Sequence, residues 1–310
     1  DFCDFLAWLN KKTQGGDNGS DCYDALGYLA LAAGGGWRGE HDTGTSGVAF
    51  DSYTHLGDKD DATYLDNFLK ALDMIDQLNE IRKAEGLSEV KVSLGLTVYD
   101  MFGANWSAET DIVAHPKSYG YGCPWSTDGW VENAAWGYTA ADGPNDFFTG
   151  WYYQEKANYT KADVTDPYTG MVYSPDEGGE TGHYENIIDP DWTLTGMAYA
   201  MGGRYGNGSV AMNDFGVGNY IYGDADSYTD KAYTTAELRE LIAEAKREGV
   251  TKYTFADGGI TYADASTTDK QLKELEDKLA DLQTQLDEAK GDQVSKNQAL
   301  QLDQEMLAAA

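Results

Sequence analysis

Two histidines and two glutamates stand in short, distinctive surroundings in this chain. His115 lies in A-H-P-K-S-Y-G, Glu132 in V-E-N-A-A-W-G-Y, Glu155 in W-Y-Y-Q-E-K-A-N-Y and His183 in T-G-H-Y-E-N-I. Imidazole nitrogens and carboxylate oxygens ligate divalent ions, and the same groups donate and accept protons. Brought together, the four would form a metal site or an acid–base site. Their spacing alone leaves convergence open. No serine or cysteine nucleophile motif and no H-E-x-x-H helix accompanies them.

The remaining candidates are plainer. His41 and His55 fall in Trp37–Leu56, a Gly-, Thr- and Asp-rich stretch without periodicity that reads as loop, and both read as ordinary loop histidines. Cys3, Cys22 and Cys123 permit one disulfide, with Cys3–Cys22 the most local choice. Cys123 beside Pro124 reads as a small loop residue rather than a nucleophile. Asp163, Asp166, Asp176 and Glu177 lack the regular spacing of a calcium loop, so residues 160–180 read as a solvated surface insertion.

Helices must position the four residues. Phe2, Phe5, Leu6 and Leu9 share one helical face, and Asp24–Ala33 reads as a second helix stopped by Gly34 to Gly36. Phe68, Leu72, Ile75, Leu78 and Ile81 predict a helix over Asn67–Lys83 with one buried face. Trp151, Glu155 and Tyr159 are spaced i, i+4, which would set the carboxylate between two rings on one face. Thr234 with Glu237 is a capping box that starts an amphipathic helix running to about Lys246 and ended by Gly249. A strand or hairpin is expected over Lys252–Tyr262.

Composition bounds the partners. The chain has 310 residues, 41% hydrophobic and 13% aromatic, enough for one sizeable core with appendages. Its net charge of -31 argues against nucleic acid, which needs a basic face. An acidic exterior suits an extracellular or wall-exposed protein. No apolar run approaches the ~20 residues of a membrane helix. The chain starts at Asp1 without Met, so the absence of a signal peptide says nothing, and the closing Leu307–Ala310 reads like a truncation.

Together the four signatures, in this order, resemble the CAP or SCP superfamily: cysteine-rich secretory proteins, antigen 5 and plant pathogenesis-related proteins, with a bacterial surface branch. The resemblance covers roughly residues 65–225. It includes the family's first helix with its Asn-x-x-Arg pair, here Asn79 and Arg82, then Gly86-Leu87, Val90-Lys-Val, a helix around Leu94–Ala108, and Gly-rich strands near Gly196–Ala200 and Tyr205–Val210. It implies an α+β fold, a three-layer α/β/α sandwich with a mostly antiparallel sheet. It also implies that His115, Glu132, Glu155 and His183 share a cleft able to hold zinc or another divalent cation. Animal and plant members are rich in disulfides, whereas this chain has three cysteines.

Three functions fit that resemblance. The first is a secreted or cell-surface module that binds an extracellular protein, glycan or lipid partner without catalysis. The second is a metal-dependent hydrolase, with zinc on His115 and His183 and with Glu132 or Glu155 as general base. The third is a lipid- or sterol-binding protein. The domains divide as 1–55, an N-terminal helical and loop segment; 56–265, the CAP domain; and 266–310, a coiled-coil stalk segment. In that last segment Leu272, Leu275, Leu279, Leu282, Leu286 and Ala289 alternate three and four residues apart, a heptad seam. Thr268–Lys290 is expected as one helix. Its seam could meet a second copy, the CAP domain, or Val294–Leu307 folded back after Gly291-Asp292. The fold-back is preferred for its high effective concentration.

Overall fold

The structure is a computed structural model that describes residues 1–13, 21–22, 25–26, 38–41, 46–49, 53–113, 116–118, 130–137, 146–201, 209–216, 231–249, 253–256, 259–262 and five positions between 278 and 290. It divides into two compact units, Asp1–Thr261 and Tyr262–Ala310.

The first helix, α1 (Phe2–Thr13), buries Phe2, Phe5, Leu6 and Leu9, the face that their spacing predicts. The Phe2 ring meets Phe68 at 4.5 Å between centroids. The Trp8 indole donates to Glu248 at 2.9 Å. This helix therefore shares one core with the helices that follow. Cys3 and Cys22 are both buried as thiols. Cys22 donates its thiol to the Leu6 carbonyl at 3.3 Å, so the most local of the permitted bridges, Cys3–Cys22, is not formed. Ala25 and Leu26 are helical; the rest of the expected Asp24–Ala33 helix lies outside the described residues, as does Cys123.

Helix α2 (Leu65–Ala84) buries Phe68, Leu72, Ile75, Leu78 and Ile81. Helix α3 (Leu94–Thr110) is buried over Leu94–Ala108. A helix buried on all sides belongs inside a core, not on its surface. The Ser93 side chain caps it by accepting from the Leu96 N–H, and Asp111 ends it in the left-handed conformation at φ 58°.

These helices pack on a five-stranded sheet. Its strands are β3 (Lys91–Val92), β5 (Trp130–Trp136), β8 (Leu194–Thr195), β9 (Ala198–Met201) and β10 (Ser209–Gly216). The order is β3-β8-β10-β5, with β9 also pairing β10; every pairing is antiparallel except β3 with β8. Helices α2 and α3 lie against β9, and α3 also covers β10. Gly196, between β8 and β9, lets α3 approach: a Cβ there would meet the Leu96 carbonyl carbon at 2.5 Å. The class is α+β with a mostly antiparallel sheet, as the resemblance implies.

One expectation over 37–56 is corrected. Instead of loop throughout, β1 (Arg38–His41) and β2 (Ser46–Ala49) form an antiparallel sheet with β4 (Pro116–Ser118). Four-residue strands carry too little alternation to be read, and the second partner of β1, β4, lies more than seventy residues on. A hairpin, β6 (Val164–Thr165) with β7 (Val172–Tyr173), structures the 160–180 segment. Asp166 is buried there and accepts from the Tyr168 N–H and the Thr169 hydroxyl, so it closes the turn rather than facing solvent. Helix α6 (Thr235–Glu248) follows, with both bonds of the Thr234–Glu237 capping box present and Gly249 at its end. The hairpin β11 (Tyr253–Ala256) with β12 (Gly259–Tyr262) closes the unit.

In the second unit, Lys278, Leu279, Leu282, Leu286 and Lys290 are helical. Leu279, Leu282 and Leu286 are 66%, 60% and 48% exposed. The fold-back partner Val294–Leu307 lies outside the described residues.

Candidate functional site

Glu155 and His183 come together at the junction of two short helices. A π-helical stretch, Thr149–Gln154, runs directly into α4 (Glu155–Thr160), and α5 (Gly182–Ile188) begins beside it. A π turn widens the helix and shifts the side chains that follow to a new phase, and such turns recur at functional sites. The shift decides what surrounds Glu155. Trp151 is buried, as i, i+4 spacing predicts, but Tyr159 is 52% exposed and does not flank the carboxylate from the core.

The Glu155 carboxylate has a definite task. Its Oε2 accepts from the His183 N–H at 2.8 Å and the Tyr184 N–H at 3.0 Å. These amides belong to the first turn of α5, whose N–H groups have no partner inside the helix. The local residue that might cap them, Thr181, makes no capping bond and instead donates its hydroxyl to Glu185 at 2.7 Å. Glu155 thus caps α5 from a neighbouring helix. Its Oε1 lies 2.5 Å from His183 Nδ1. A carboxylate behind Nδ1 fixes ring orientation and leaves Nε2 as the nitrogen turned to a ligand. The Trp151 ring packs against the His183 ring, with centroids 6.1 Å apart.

Glu180 joins the pair. Glu155, Glu180 and His183 each offer a ligand atom, and these atoms lie within 4.8 Å of one another. Two carboxylates and an imidazole form an oxygen–nitrogen donor set of the kind zinc accepts. Asn158 sets the loop that carries Glu180. Its amide donates to the Glu180 carbonyl at 2.9 Å and its oxygen accepts from the Asp176 N–H at 2.8 Å. Gly179 allows that contact, since a Cβ would lie 2.4 Å from Asn158 Nδ2. Sequence reading missed Glu180. The only signal was its place three residues before His183, and nothing in the spacing separates it from the acidic residues around it.

The opposite end of α5 is held by Arg82. Its guanidinium is fully buried and donates to the carbonyls of Ser88, Ile187, Asp189 and Trp192 at 3.0, 2.7, 3.0 and 3.4 Å. Burial lowers its proton affinity and nearby Asp189 raises it. Asn79, one turn earlier, exchanges two hydrogen bonds with the backbone of Val90. The Asn-x-x-Arg pair therefore ties α2 both to the strand lead-in and to the helix bearing His183.

Glu132 is buried on β5, opposite Asp214 of β10. Its neighbour Asn133 accepts from Asn186 of α5 at 2.8 Å, which ties that strand to the His183 helix. His115 lies outside the described residues, immediately before β4 in sequence. His55 is placed elsewhere, 2.7 Å from Glu109. It lines an open cavity of about 840 Å³ with Tyr53, Asp61, Asn105 and Met201 among others, and among the described residues neither Glu132, Glu155 nor His183 borders it. Among the described residues, Asp163, Asp176 and Glu177 join no group of potential metal ligands.

Comparison with known proteins agrees with this anatomy. Residues 75–220 match the model of the cysteine-rich secretory protein family, CAP. No curated protein sequence matches the chain. A cysteine-rich secretory protein from Staphylococcus aureus is similar in structure, with 13% identity and a TM-score of 0.27, over 49% of this chain and 39% of that one. Venom allergen-like protein 4 of Schistosoma mansoni shows 12% identity and a TM-score of 0.27, over 54% of this chain and 95% of that one. Among the described residues no helix is long and apolar enough to cross a membrane. Residues 75–220, just under half of the chain, thus match the CAP family and contain Glu132, Glu155 and His183 in their signatures.

Proposed function

We propose that this is a secreted or cell-surface CAP-domain protein that binds an extracellular protein, glycan or lipid partner without turning it over. The same reading keeps 1–55 as an N-terminal segment, 56–265 as the CAP domain and 266–310 as a coiled-coil stalk. A divalent cation, zinc by its donor chemistry, would be held by His183 and Glu180, with Glu155 orienting the His183 ring from behind and with His115 and Glu132 completing the set as the family resemblance implies. Such an ion would polarise whatever oxygen it binds.

One observation carries the non-catalytic reading. Glu155 accepts two backbone N–H groups and holds His183 Nδ1. A carboxylate committed to a helix start and a ring is a positioning group, not an available base. The hydrolytic alternative would rest on Glu132. The lipid alternative needs an apolar groove, whereas the large open cavity is lined by Asp58, Asp60, Asp61, Glu109 and Asp111.

The test uses zinc-loaded full chain on a panel of ester, peptide and glycoside substrates. We expect no turnover above that of His183→Ala, while binding to arrays of matrix proteins and glycans survives Glu155→Gln. Turnover that His183→Ala abolishes would establish the hydrolase instead.

A further inference from the structure

Two carboxamides face each other in the middle of the sheet. Asn133 of β5 and Asn213 of β10 are direct partners in the antiparallel register, and both are fully buried. Each commits only half of its bonding capacity. The Asn133 Oδ1 accepts from the Asn186 amide on α5 at 2.8 Å. The Asn213 amide donates to the Thr195 hydroxyl at 2.8 Å and to the Gly196 carbonyl at 2.7 Å. The other halves, the Asn133 Nδ2 donor and the Asn213 Oδ1 acceptor, have no hydrogen-bond partner among the described residues.

Stability does not explain this pair. Each uncommitted group gives up its water on folding and regains nothing. Leucine shares the branched outline of asparagine, and replacing both partners by apolar groups of that shape is close to neutral. Such a change would strand little. Asn186 is half-buried and can turn to water, and the Thr195 hydroxyl already donates to the Gly196 carbonyl at 3.1 Å. A buried polar group that stability does not require points to a functional constraint.

The bond from Asn186 identifies the constraint. Asn186 stands three residues after His183, on the same side of α5. That helix has seven residues, too few to hold a place of its own. Glu155 and Arg82 fix its two ends, which leaves rotation about its axis open. The contact from Asn186 to Asn133 closes that freedom. We propose that Asn133 is a positioning residue that sets the rotation of α5 and so aims the His183 ring, and that the Asn133–Asn213 pair is kept for this at the expense of stability. The proposal deepens the reading of His183 as an ion ligand and rests on it for the zinc measurement below, but not for the ring measurement.

The test compares the full chain with Asn186→Ala, with Asn133→Leu plus Asn213→Leu, and with all three changes together. Each is read by thermal melting, by zinc affinity against a competing chelator, and by the His183 ring resonances of the metal-free chain, assigned with His183→Ala. We expect the asparagine-to-leucine pair to melt no earlier than wild type. It should nevertheless bind zinc about tenfold more weakly and displace the His183 signals, while those of His55, which lies elsewhere, hold still. Asn186→Ala should reproduce the zinc and ring effects. Adding it to the pair should bring no further loss, since both remove the same bond. A leucine pair that melts earlier or does not fold shows that the asparagines serve stability, and overturns the proposal. His183 signals that stay in place in Asn186→Ala overturn it as well. Wild-type chain that takes up no zinc overturns the ion reading instead, and displaced His183 signals in Asn186→Ala would still sustain the positioning role.

Discussion

At the residue scale, two buried charged groups organise the site from opposite ends of one seven-residue helix. Glu155 supplies the N-terminal cap of α5, and Arg82 gathers carbonyls at its C-terminal end. Arg82→Lys tests the second role. An ammonium is a point charge with three donors and cannot span carbonyls contributed by Ser88, Ile187, Asp189 and Trp192. The change leaves buried acceptors unmet and should cost about 3 kcal/mol, read from denaturant unfolding. The His183 ring resonances should shift with it, because α5 loses its anchor. A loss below about 0.5 kcal/mol would mean that the fork is dispensable. The sequence showed that Arg82 mattered only through the resemblance, since three of its four partners lie more than a hundred residues away. Glu155 and His183 were legible as residues. Their relation, a cap lent across helices, was not, because Thr181 in the local cap position gives no sign that it defaults.

At the element scale, legibility followed the length and regularity of the pattern. Helix α2 spans twenty residues with a clear apolar stripe, and α6 carries a capping box, so both emerge from sequence alone. The strands β1 and β2 span four residues each and were read as loop. The π stretch was invisible too. A helical wheel drawn at constant pitch puts Tyr159 beside Trp151, whereas Trp151 is buried and Tyr159 is 52% exposed. Beyond the end of α2, Glu85 receives the Lys156 ammonium and the Tyr152 hydroxyl, which joins α2 to the helix bearing Glu155. Burial pushes the Glu85 carboxyl up, but these two donors outweigh it and hold it below its ordinary value of 4.5. A carboxyl depressed in the folded state adds stability above its unfolded value, and that gain fades as pH falls through the folded value. Glu85→Gln should therefore cost about 1 kcal/mol at pH 7, with the difference from wild type shrinking below about pH 4. A penalty unchanged between pH 7 and pH 3 would show that charge plays no part in the joint.

At the scale of the whole molecule, a unit that matches the CAP family and holds a prepared histidine shares one chain with a second unit in which Leu279, Leu282 and Leu286 are helical and exposed. The central claim is narrower: Glu155 holds His183 so that Nε2 faces a divalent ion shared with Glu180. Crystals of the full chain grown with zinc, and measured at the zinc absorption edge, test it most directly. The account predicts an anomalous peak at His183 Nε2 and the Glu180 carboxylate, with Glu155 still on Nδ1, and its disappearance in His183→Ala. Saturating zinc with no peak at this corner, or a peak that remains in His183→Ala, would contradict it.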